Sequence, residues 1–63
     1  MTRRITIARD GSVKLRGKAT RWRVERGHMA WWYAVAPTGE GRPFRKHAVR
    51  AYLESLTDEE LMG

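Results

Sequence analysis

Arginines and aromatic rings are the side chains of this sequence that could do chemistry: Arg21, Arg23 and Arg26 around Trp22, then Trp31-Trp32-Tyr33, then Arg42, Arg45 and Lys46. A guanidinium can bond a guanine edge or a phosphate bidentately, and an indole can stack or pack on sugar and base. That chemistry is recognition, not bond making. The residue types that bond making needs are missing or scattered. No cysteine is present, which removes disulfides, thiolate metal sites and cysteine nucleophiles together. His28 and His47 lie 19 positions apart with no acidic cluster beside them, so neither a metal site nor a cofactor is expected. A chain of 63 residues buries only roughly 60% of the surface it exposes when unfolded, too little for a deep substrate pocket. An enzyme is not expected.

Charge supports the same direction. All 13 basic residues fall within residues 1–50 with only three acids, so that stretch is +10, whereas the last 13 residues hold four acids and no base. The net +6 conceals this segregation. A dense positive stretch interleaved with aromatics is the footprint of a nucleic-acid-binding surface. Ten arginines against three lysines suit a GC-rich genome. No apolar run approaches 18 residues, and Met1-Thr2-Arg3-Arg4 leads straight into alternating residues, so a cytoplasmic protein without membrane contact is expected.

One domain over residues 1–63 must position these groups. Arg4-Ile5-Thr6-Ile7-Ala8 alternates up to Asp10-Gly11, a favoured two-residue hairpin turn, and Val13 and Leu15 alternate on the returning strand. After a break at Gly17-Lys18-Ala19, residues 21–26 set Trp22 and Val24 against Arg21, Arg23 and Glu25. Gly27-His28 fits a second tight turn, and Trp31 to Val35 forms a further strand ending at the turn formers Pro37-Thr38-Gly39-Glu40-Gly41. Val49, Tyr52, Leu53 and Leu56 then make the stripe of an amphipathic helix, which must cover one face of the sheet. Thr57-Asp58-Glu59-Glu60 is a capping-box sequence for a short terminal helical turn or a frayed tail. The expected fold is α+β: a three- to four-stranded antiparallel β-meander, strands near 3–9, 12–16, 20–26 and 30–36, packed on one C-terminal α-helix near 45–56, with an acidic tail over 57–63.

The face left free should carry the site. A two-residue turn at Gly27-His28 places Trp22, Val24, Trp31, Tyr33 and Val35 under the helix and exposes Arg21, Arg23, Glu25, Trp32 and Ala34. A three-residue turn exchanges the two sides of the second strand, so Trp32 or Tyr33 is exposed according to one residue of register. Arg23 can also simply stack on Trp32 as a cation–π pair. At the helix start Arg42, Arg45, Lys46 and His47 crowd the positive end of the helix dipole, where acids would favour stability. An anion there meets free N–H groups and cations together, which makes Arg45 and Lys46 phosphate clamps.

Trp22-Arg23-Val24, Tyr33-Ala34-Val35-Ala36-Pro37-Thr38-Gly39, Phe44-Arg45-Lys46 and Val49-Arg50-Ala51-Tyr52-Leu53 resemble the methyl-CpG-binding domain. Gly11-Ser12-Val13, Leu15-Arg16-Gly17 and Trp22-Arg23-Val24 resemble the arm-binding N-terminal domain of tyrosine-type integrases. Both resemblances, which together cover about residues 11–56, imply a small sheet packed on one helix and inserted into the DNA major groove. The first implies a guanine-reading role for Arg45 and turns Tyr33 toward DNA. Trp31 stands where that family has an acid that orients an arginine, and the hairpin is much shorter, so duplex binding is implied without methylcytosine recognition. With no recombinase catalytic domain following, a phage or mobile-element accessory or regulatory protein is expected.

These readings converge on a non-enzymatic double-stranded DNA-binding protein with Arg16, Arg21, Arg23, Arg26, Trp32, Arg42, Arg45 and Lys46 as its DNA-binding residues. Two alternatives stand beside it. One is a small phage-type protein that docks on an acidic host protein through Trp31, Trp32 and Tyr33 with the arginines as a rim. The other is an RNA-binding module, which would favour exposed aromatics over paired arginines.

Overall fold

The computed structural model describes residues 4–63. Five strands form one antiparallel sheet in the order β1-β2-β3-β4-β5: Ile5–Ile7, Ser12–Leu15, Lys18–Arg26, Trp32–Val35 and Gly41–Phe44. Two helices follow, α1 over Lys46–Ser55 and α2 over Asp58–Met62. The α+β class and the meander are as expected. The strand count is higher by β5, which begins at Gly41, the last of the turn formers Pro37-Thr38-Gly39-Glu40-Gly41, and runs to Phe44. Pro43 can stand in β5 because this is the edge strand, where a missing N–H costs no ladder bond. The expected start of the first strand at Arg3 lies outside the described residues.

The connections decide which side chain faces which way. Between β1 and β2 the chain does not turn in two residues. The Gly11 N–H donates to the Ala8 carbonyl at 3.0 Å, the Ala8 N–H to the Ser12 carbonyl at 2.9 Å, and Asp10 Oδ1 accepts from the Ser12 N–H at 2.9 Å. Gly11 has φ +94°, and a Cβ there would lie 2.2 Å from the Val24 carbonyl oxygen, so this loop sits flush against β3. The two-residue turn is instead Arg16-Gly17, with Leu15 paired to Lys18. The β2–β3 ladder shifts register between Ser12 and Lys14, and Thr20 Oγ1 fills the gap by donating to the Val13 carbonyl at 2.7 Å.

The core lies between the sheet and the two helices. Ile5, Val13, Leu15, Trp22, Val24, Ala34, Val49, Leu53 and Leu61 are buried, and Tyr52 and Leu56 pack half-buried against them. Helix α1 presents Val49 and Leu53 as its stripe demands, but it lies over β1, β4 and β5. The expected cover of Trp22 by that helix holds through Tyr52, whose ring meets Trp22 edge on with centroids 6.3 Å apart, but α2 shares that cover, lying over β2 and β3. Trp22 Nε1 donates to the Glu60 carbonyl at 3.1 Å, and Leu61 is fully buried. The acidic tail is consequently a structural element, started by a complete Thr57/Glu60 capping box.

Asp58 fastens this element to the opposite corner of the sheet. It accepts from Arg16 and from Arg4, and Arg4 also donates to the carbonyls of Glu54 and Leu56, serving as the cation that the C-terminal end of α1 lacks in its own last turn. Hydrogen bonds from Arg16, then Arg4, hold the Asp58 carboxyl below the usual carboxylate range. A carboxyl lowered on folding stabilises the native state above its unfolded pKa of about 3.9, and that contribution is lost as pH falls through the lower folded value. Asp58→Asn is therefore expected to melt below the wild type at pH 7. The gap should close on acidification below about pH 4, as thermal melts across a pH series will show.

Candidate nucleic-acid interface

With both helices on one side, the other face of the sheet carries no covering element among the described residues. Its composition follows from register. Arg23 pairs with Val35, Val24 with Ala34, Glu25 with Tyr33 and Arg26 with Trp32, so the loop between β3 and β4 spans five residues, Gly27 to Trp31. The two-residue turn expected there is corrected, and the sides of β4 exchange. Trp32 lies on the helix side, half-buried against the core, and the expectation that it is the exposed aromatic is wrong. Tyr33 stands on the open face in its place, the side that the resemblance to the methyl-CpG-binding domain implied.

Lys14 on β2, Arg21, Arg23 and Glu25 on β3, and Tyr33 and Val35 on β4 therefore share the open face. Arg23 Nη2 donates to Glu25 Oε1 at 2.7 Å, which holds that guanidinium in place and neutralises the acid on this face. Arg21 and Lys14 are exposed and make no ion pair with a described carboxylate. Lys14 was missed as a site residue, although the inward pattern of Val13 and Leu15 already turns it outward.

A second group gathers at one end of the strands. There the end of β3, the Gly27–Trp31 loop and the start of α1 meet, and Arg26, Trp32, Arg45, Lys46 and His47 line a shallow recess without an acid. The recess opens beside a larger cleft toward the β1–β2 loop, where Arg9 and Arg50 add cations and Asp10 and Glu25 are the acids. Arg45 is the N-cap of α1, with its guanidinium 4.3 Å from the Trp31 ring centroid, and Arg26 lies 5.9 Å from that of Trp32. Each pair contributes about 0.5–1 kcal/mol if exposed. Stacking occupies the face of a guanidinium and leaves its in-plane N–H donors for an anion.

The remaining two expected residues lie elsewhere. Arg42 pairs with Ala34 and so is on the helix side, 5.7 Å from the Tyr52 ring. Arg16 sits in the β2–β3 turn, the length of β3 away from the recess, about 26 Å at 3.3 Å per residue, and is bound to Asp58. The Arg23–Trp32 stack, the alternative to ligand contact, does not form; Arg23 pairs with Glu25 and it is Arg26 that lies by Trp32. Among the described residues no group of His, Cys, Asp or Glu could hold a metal ion, and no helix is long and apolar enough to cross a membrane. No protein-family model, curated protein or solved structure matches the chain.

Proposed function

We propose that the protein is a non-enzymatic double-stranded DNA-binding module that uses the open face of its sheet and the cationic end of α1. The observation that carries this reading is the spatial sorting of charge. Lys14, Arg21 and Arg23 face outward with one acid that is already paired, while Asp58 is tied to Arg4 and Arg16 at the far end. Size supports a duplex. Five strands at about 4.8 Å spacing make a backbone sheet about 19 Å across, wider than the roughly 12 Å major groove. The charged side chains occupy only β2 and β3, with Tyr33 beside them on β4, and three strands span about 10 Å. That central ribbon fits the groove, while Arg26, Arg45 and Lys46, gathered at the strand ends on the helix side of the sheet, reach past its end to the phosphates that border it.

Held by Glu25, Arg23 is the side chain best fixed to read a base edge, whereas Lys46 is free to follow a phosphate. Arg23→Ala is expected to relax sequence preference by about 1–3 kcal/mol at the base pair it reads, and Lys46→Ala to weaken all duplexes alike and flatten the salt slope by about one unit. Binding isotherms on a set of single-base-pair variants separate the two effects. If both variants lower affinity for every duplex equally, the sheet makes no base contact and the protein coats DNA without reading it.

A further inference from the structure

The Gly27–Trp31 loop carries an apolar tip that neither the core nor the contacts above employ. Met29 is 78% exposed, and Met29 and Ala30 have φ of 53° and 66°, the left-handed region that L side chains seldom enter. Such a conformation persists only where its surroundings hold it. Here the Gly27 N–H donates to the Trp31 carbonyl at 2.7 Å and the Trp31 N–H to the His28 carbonyl at 3.2 Å. Tyr33 lies so close on Gly27 that a Cβ there would be 2.2 Å from its ring, and Arg45 covers Trp31. The tip is thus braced from both sides. Its neighbour Ala30 lines the recess that holds Arg26, Arg45 and Lys46, so the tip is one residue from a cluster of cations.

A braced apolar side chain beside phosphate-binding cations is the arrangement that parts a base step: the cations grip the backbone while the side chain replaces a stacking neighbour. We propose that Met29 is a DNA wedge, which enters a base step on binding, unstacks it in part and bends the duplex. This inference rests on the duplex reading above. It adds which duplexes are favoured, namely those with a step that opens at little cost, such as a pyrimidine–purine step or a mismatch.

The test uses the full chain and a short duplex labelled at both ends for energy transfer, matched or with one central mismatch. Met29→Asn removes the apolar tip with a residue that tolerates the left-handed backbone, and Met29→Leu retains it. The wild type and Met29→Leu should bring the duplex ends closer and favour the mismatched duplex about tenfold. Met29→Asn, folded by circular dichroism, should still bind but lose the bend and the preference. Bending by Met29→Asn as by the wild type, or wild-type binding without bending or mismatch preference, overturns the wedge and leaves duplex binding standing. Failure of the wild type to bind either duplex overturns both readings and makes the loop a tip for a protein partner.

Discussion

Leu53→Ala is expected to unfold much of the protein at moderate temperature. Leu53 is fully buried at the centre of the α1 stripe, and α1 covers β1, β4 and β5 through that stripe. Truncating such a leucine costs about 2–5 kcal/mol, because the lost transfer energy is joined by the cavity left behind. A domain of 63 residues has a total stability of only roughly 3–9 kcal/mol. The melting temperature should fall by at least about 8 °C, given roughly 4–8 °C per kcal/mol in a domain of this size. Leu56→Ala offers the internal comparison, since Leu56 is only half-buried and should cost less. Melts followed by far-ultraviolet circular dichroism distinguish the cases. A Leu53→Ala protein that melts with the wild type would mean that the stripe does not hold α1 on the sheet.

The parts of this fold legible in the sequence are those whose signal is a period. Val13 and Leu15 alternate, Val49 and Leu53 recur at helical spacing, and both pairs are buried where those periods put them. Thr57 and Glu60 announce a capping box, and one is there. What was not legible depends on residues that break local preference. Met29 and Ala30 adopt positive φ without being Gly or Asn, so nothing in their types signals a five-residue connection, and the register of β4 moves with it. That one connection decides whether Trp32 or Tyr33 lies on the open face of the sheet. Leu61 looked like part of a charged tail because its partner, the ground over Trp22, is set by tertiary packing 38 residues away from Glu60. Arg16 was grouped with the other arginines by charge alone, and only the fold shows that it answers Asp58. The sequence thus placed Arg21 and Arg23 on the open face and Arg45 and Lys46 at the start of α1, where the fold has them, but set Trp32 rather than Tyr33 on that face.

Binding to duplex DNA should depend steeply on salt, and this is the largest effect expected of the site. Lys14, Arg21, Arg26, Arg45 and Lys46 make no ion pair with a described carboxylate, so each can release a counterion from the phosphate it meets. About five neutralised phosphates give a log–log slope near −4 to −5, which weakens binding about 250- to 1000-fold between 50 and 200 mM salt. An acidic protein partner docked through aromatics would show a shallower dependence, since apolar burial is not screened. The most direct measurement is a titration of the full chain against random duplex DNA, single-stranded DNA and RNA across that salt range. Micromolar or tighter binding to the duplex at about 50 mM salt, preferred over both single strands and falling with the stated slope, is the predicted result. Absence of duplex binding under those conditions, or tighter binding to single-stranded RNA, would contradict the assignment of this sheet to duplex DNA.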